Sequence, residues 1–160
     1  MTRTERAAAL HAGGSACSQS VFCVFAGDFG LDEALAHRLA TGLGGGCGRK
    51  QYLCGAVSGA VLVLGLAFGS ETGAGKAAKE ECYAKVHAFI EAIEAEYGSS
   101  ECKVLLEGAD LMSPEGQAYI KGRGLGAKVC GPVIGRCVEM LEEILDGRPA
   151  GAGTGASGAA

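Results

Sequence analysis

The sequence predicts an all-α protein, a small helical bundle of about five to six helices with a glycine-rich loop and a disordered C-terminal tail. Three observations lead there. Apolar residues recur at three- and four-residue intervals along several segments, the spacing that gathers one face of an α-helix. Glycine, 28 of 160 residues, punctuates those segments, where a chain can leave a helix through positive φ without a steric penalty. No segment shows the apolar/polar alternation of a half-buried strand.

The first helix is expected over 18–29, apolar nearly all round at Val21, Phe22, Val24 and Phe25 and therefore central. Asp32 caps a second helix reaching residue 40. Residues 41–50, TGLGGGCGRK, form the glycine-rich loop. The third helix, over 51–68, carries Gly55 and Gly59 four apart, with Ala56 and Ala60 beside them, so a neighbouring backbone can pack unusually near. Its 16 uncharged residues, 53–68, fall short of the ~18–20 needed to cross a bilayer, and the expectation is a buried helix with no membrane span.

The fourth helix, 76–97, is amphipathic through Cys82, Val86, Phe89, Ile90, Ile93 and Tyr97, and Gly98 stops it. Ser99 or Ser100 can cap a short helix over 101–107, and Ser113-Pro114 opens another. After the glycine-rich segment 121–128, Pro132 opens a last helix to residue 145, with Val133, Cys137, Leu141 and Ile144 along one seam. The final AGAGTGASGAA has nothing to bury. The expected organisation is a flexible N-terminal segment over 1–14, a single helical domain over 15–148 and a disordered Gly/Ala tail over 149–160.

A formal charge of −4 argues against a nucleic-acid partner, since phosphate binding depends on Lys and Arg, which number 14 against 18 Asp and Glu. The N-terminal stretch holds no continuous apolar run of secretory type, so a cytoplasmic location is expected. In a reducing compartment, eight cysteines read as metal-binding, redox-active or buried thiols rather than structural bridges.

Placing the cysteines on the elements sorts them. Cys23, Cys82 and Cys137 lie on apolar faces, where a thiol behaves as a small hydrophobe. Cys47 sits in the glycine loop and is ambiguous. Cys17, Cys54, Cys102 and Cys130 fall at or near helix N-termini, where unpaired N–H groups and the positive end of the macrodipole favour an anion. The dipole is worth ~0.3–1 kcal/mol, under about one pKa unit, so such a thiol stays mostly protonated at neutral pH. A thiol mechanism would need help from Arg49 and Lys50, whereas a metal deprotonates its ligands outright. Four cysteines match the ligand count of an iron–sulfur or zinc site, although no C-x-x-C appears.

Other motifs are weaker. GSETGAGKA, 69–77, departs from a phosphate loop at Ser70 and Ala77. His11, His37 and His87 show no paired spacing, and a Cys–His nucleophile pair has no sequence signature.

Cys17-Ser18-Gln19-Ser20-Val21, Leu31-Asp32, Gly44-Gly45-Gly46-Cys47-Gly48-Arg49, Cys54-Gly55-Ala56-Val57-Ser58-Gly59, Leu64-Gly65-Leu66, Tyr97-Gly98-Ser99, Cys102, Leu105-Leu106 and Cys130 follow one another in order. In that order the chain resembles the redox-active proteins labelled C_GCAxxG_C_C, whose core motif is CGAxxG, over about 15–145. The resemblance implies four characteristic cysteines, Cys17, Cys54, Cys102 and Cys130; Cys23, Cys47, Cys82 and Cys137 are extra to its pattern, and Cys47 and Arg49 stand as accessory candidates and Gly55 and Gly59 as structural glycines on the reading of the residues themselves. Three chemistries stay open at this point: an iron–sulfur cluster for electron transfer, thiol–disulfide exchange with Cys54 attacking near Arg49, or a structural zinc site in a helical interaction protein. The expected partner is a redox protein not identified by the sequence, with a homodimer as a further option.

Overall fold

The computed structural model describes residues 1–147. These form α1 (Arg3–Ala12), α2 (Cys17–Ala26), α3 (Glu33–Thr41), α4 (Gly44–Cys47), α5 (Gly55–Phe68), α6 (Lys76–Tyr97), α7 (Cys102–Leu105), α8 (Pro114–Arg123) and α9 (Gly131–Asp146). A 3-10 turn at Gly27–Phe29 and a π-helical turn at Gly126–Cys130 complete them. The all-α class holds, and the helices outnumber the expected five to six because short turns form where loops were expected. The expected disordered tail, 149–160, lies outside the described residues.

The centre is α2, which packs against α1, α3, α5 and α9. Its Val21, Phe22 and Phe25 are buried with Leu64 of α5, Phe89 and Ile93 of α6, and Ile134 and Leu141 of α9. The 14-residue α5 is apolar nearly all round but short, and no helix among the described residues is long and apolar enough to cross a membrane.

Local signals set several boundaries as expected. Asp32 Oδ1 accepts the Leu35 N–H at 2.9 Å, and Ser113 Oγ accepts the Gly116 N–H at 2.9 Å with Pro114 following. Gly98, φ 83°, ends α6 at Tyr97. Residues 1–14, expected as a flexible segment, instead hold α1. Thr2 and Glu5 form a reciprocal cap there, at 3.1 and 2.7 Å, a pairing that satisfies two of the unpaired donors at a helix start. Ala7 is fully buried beneath it, and Arg3 stacks over Phe25 and pairs with Asp28.

Three boundaries differ from expectation for tertiary reasons. First, α5 begins at Gly55, four residues after the expected 51. The N–H groups of Cys54 and Cys102 bond to Ser100 O and Tyr52 O, each at 2.7 Å, so 51–54 pair with a distant segment through the Leu53–Glu101 bridge. Second, α7 is capped by neither serine side chain: Ser99 Oγ accepts from Glu101 N and Ser100 Oγ donates to Glu94 Oε1. Third, the segment 121–128 closes α8 at Gly124 and enters the π-helical turn, which runs directly into α9.

The glycine loop is a left-handed turn. Gly45, Gly46, Cys47, Gly48 and Arg49 all have φ between 56° and 68°. Glycine tolerates this freely, whereas Cys47 and Arg49 each hold a conformation costing roughly 1–2 kcal/mol. A Cβ on Gly46 would lie 2.6–2.8 Å from the Gln51 and Tyr52 backbone. The buried Gln51 side chain ties the turn to the segment leading into α8, donating to Ala109 O at 2.8 Å and accepting from Leu111 N at 3.0 Å. Removing an amide that satisfies two such groups leaves them unpaired, and Gln51→Ala is expected to lose about 2 kcal/mol in urea unfolding, with Gln51→Glu, which sets a buried carboxylate oxygen against Ala109 O, losing at least as much at neutral pH.

Candidate functional site

Close glycine packing brings the first two of the four named cysteines together. A Cβ at Gly59 would stand 2.6 Å from Ser18 O, and one at Gly55 would stand 3.2 Å from Cys17 Cβ. The two glycines therefore let α2 lie against α5 as expected, with Cys17 at the first position of α2 beside Cys54 at the N-cap of α5. The Leu53–Glu101 bridge sets Cys102 alongside Cys54. The π-helical turn, packed on α9, delivers Cys130.

All four thiols line one small, almost wholly apolar cavity of about 30 Å³, with Gly45, Gly55, Leu105 and Val133 among its other walls. That is the volume of a single water molecule. Cys17, Cys102 and Cys130 also border an adjoining open cleft of about 730 Å³. Every described cysteine is a free thiol. Among the described residues no group of three or more His, Cys, Asp or Glu side chains is spaced to hold a metal ion.

The thiols differ in acidity. The Cys17 thiol donates to Cys130, which raises Cys17 far above the ordinary value, burial and the neighbouring thiolates adding to it. The same hydrogen bond lowers Cys130. Burial raises Cys54 even though the Ala56 and Val57 N–H groups at the start of α5 pull it down. Cys102 is pushed up to about 12 by burial, with the Cys54 and Cys130 charges behind it. Desolvation thus outweighs the helix-start N–H groups at Cys54 and comes first at Cys102, while at Cys17 the hydrogen bond to Cys130 comes before it.

Three expectations change here. Cys130 does not occupy a free helix start, because the π-helical turn continues through it with αR geometry. Its lowered value comes from Cys17 instead. Cys54, expected to attack beside Arg49, is buried and raised, and Arg49 borders the open cleft, which Cys54 does not reach. Cys47 is exposed and lines neither cavity.

Cys23 and Cys137 are buried in the core as expected, and Cys137 is close enough for a Cys54 charge to raise it further, whereas Cys82 is only half-buried and outside the core, its thiol 3.8 Å from Leu64 O. Sequence reasoning missed the contact of Cys23 Sγ with His37 Nδ1 at 3.3 Å, with Ser15 Oγ 3.1 Å from His37 Nε2. Burial and then Glu33 push this thiol up to about 11, so it stays protonated and the pair is no nucleophile. No local spacing could have revealed a contact between α2 and α3.

The family model described as "Putative redox-active protein (C_GCAxxG_C_C)" matches residues 15–144 of the chain. No curated protein and no solved structure matches it.

Proposed function

From the premise that this chain belongs to the C_GCAxxG_C_C family of redox-active proteins, we propose that Cys17, Cys54, Cys102 and Cys130 act as one centre that holds an iron–sulfur cluster for electron transfer. The observation that carries this reading is that four thiols from four separate elements line one cavity and three of them, Cys17, Cys102 and Cys130, also border the open cleft beside it, which supplies the room for a cluster that the 30 Å³ cavity alone lacks. A disulfide needs only two of them. Zinc–sulfur bonds of about 2.3 Å would draw all four sulfurs to within about 4.6 Å of one another.

A bound cluster supplies one-electron chemistry at a potential tuned by its hydrogen bonds and solvent exposure. The chain's part is to present four soft donors, to aim the Ala56 and Val57 N–H groups at the Cys54 sulfur, and to keep water from one side with Leu105, Val129 and Val133. Cys130 is the thiol readiest to ionise, and burial of the others makes their proton loss dependent on metal binding. Anaerobic purification with iron and sulfide analysis is expected to return both in stoichiometric amounts with broad visible absorption, and replacing any one of the four cysteines by serine should remove most of it. Metal-free protein after anaerobic reconstitution would end this reading.

The Cys17–Cys130 hydrogen bond favours a second reading, thiol–disulfide exchange. Cys130 as thiolate would attack a partner disulfide and release one partner sulfur as thiolate. Cys17 would then displace the other from Cys130, its proton passing to a departing thiolate. Two electrons go to the partner, and a Cys17–Cys130 disulfide remains. Cys17→Ser should trap the mixed disulfide on Cys130; a chain that forms neither species would remove this alternative.

A further inference from the structure

We propose that the open cleft over Cys17, Cys102 and Cys130 binds a small organic molecule consisting of an apolar body and one anionic group, with the anionic group held at Arg49. The inference deepens the redox reading, on which it rests for its purpose, since a ligand seated here lies against three thiols of the centre. Four observations converge on this ligand class. The cleft, about 730 Å³, falls within the roughly 300–1,000 Å³ of small-molecule sites. Its walls are mainly hydrocarbon, Leu106, Leu111, Met112 and Ile120 among them, with Leu111 also lying against Gly45 of the glycine turn. The polar side chains among them are Thr41, His11 and Arg49, and no carboxylate lines it, in a chain that carries four more acidic than basic residues.

The fourth observation concerns the arginine itself. Arg3, Arg6, Arg123 and Arg136 are each engaged by a carboxylate, whereas Arg49, like Arg38 on α3, has no ion pair among the described residues, and of these two only Arg49 lines the cleft. Its backbone is held at φ 64°, and its side-chain methylenes lie over Gly45, where a Cβ would stand 2.9 Å from Arg49 Cγ. The left-handed turn thus sets the guanidinium stem along the cleft wall. A planar guanidinium there suits a carboxylate, sulfonate or phosphate bidentately, and the leucine-lined side takes the apolar body.

The test uses the full chain, reduced and free of metal, titrated with 8-anilinonaphthalene-1-sulfonate and with the uncharged N-phenyl-1-naphthylamine, read by fluorescence. One saturable site per chain is expected, at least fivefold tighter for the sulfonate. Arg49→Gln should abolish that preference while leaving the uncharged probe unchanged. A Cβ at Gly126 meets nothing within 4 Å, so Gly126→Phe fills open space at the cleft wall and should weaken both probes. Equal affinity for the two probes, or sulfonate binding unmoved in both variants while their circular dichroism matches the parent, would overturn the site. Charge-selective binding in a chain that takes up no iron and forms no disulfide would uphold the site and remove the redox reading. A loaded centre in a chain that binds neither probe would remove the site alone.

Discussion

Gly59→Ala is expected to lower the melting temperature by about 5–10 °C and to disturb the thiol centre at the same time. The added Cβ meets Ser18 O at 2.6 Å and Ser18 Cα at 3.1 Å. Both are backbone atoms of the central helix, so no flexible side chain can give way. Overpacking of this kind costs about 1–3 kcal/mol, and a chain of this size loses roughly 2–4 °C per kcal/mol. Separating α2 from α5 also carries Cys17 away from Cys54 and Cys130, so alkylation of Cys130 at neutral pH should slow as its hydrogen-bond donor moves off. Gly65→Ala is the matched control. It lies in the same helix with nothing within 4 Å of its Cβ, and should raise stability by about 0.5–1 kcal/mol. Two melts by circular dichroism decide the matter; a Gly59→Ala protein as stable as Gly65→Ala would show that the helices do not approach so closely.

The second large effect is a loss of stability in alkali, in reduced and metal-free protein. Burial holds Cys23, Cys54, Cys102 and Cys137 above the ordinary thiol value of 9.0, and the hydrogen bond to Cys130 together with burial holds Cys17 above it. The folded chain therefore keeps protons that the unfolded chain releases, and stability must fall as pH rises. The contribution is whole below about pH 9 and disappears as pH climbs toward about 11 for Cys23 and about 12 for Cys102. Each group adds a slope of up to about 1.4 kcal/mol per pH unit, with Cys23 and Cys102 discounted for partial solvation. Cys130 acts in the opposite sense: its stabilising share is present above 9.0 and is lost as pH falls through its lowered value. Between about pH 8.5 and 10.5 a net loss of about 3 kcal/mol is expected in urea unfolding. Cys137→Ala, which removes the most buried of these thiols, should flatten the profile. An unchanged slope in that variant would mean that Cys137 ionises as readily folded as unfolded.

These two predictions draw on different kinds of legibility. The close approach at Gly55 and Gly59 could be read from the sequence, because two small residues one turn apart on an apolar helix have few other uses. The helix over 76–97 was equally plain, since its apolar spacing and the Gly98 stop are both local. So were the Asp32 and Ser113 caps, each a side chain satisfying an N–H three residues on. The helix α1 was missed because its apolar residues are mostly alanine, a weak hydrophobic signal, with Ala7 the one that is buried. The left-handed run through Cys47 and Arg49 was missed because glycines permit a conformation without specifying it. The delayed start of α5 depends on Ser100, far along the chain, and no window centred on 51–54 contains that partner.

By itself the sequence determined the helical class, the ordered motif of the family and the small residues that allow helices to touch. Those properties are local in sequence: periodicity, caps and motif order are read within one or two turns. Only the tertiary structure decided which thiol donates to which, that Cys130 and not Cys54 is the acidic one, and that Arg49 faces a cleft free of carboxylates. Acidity and access follow from burial and from distances between remote segments, and both exist only once the chain has closed on itself.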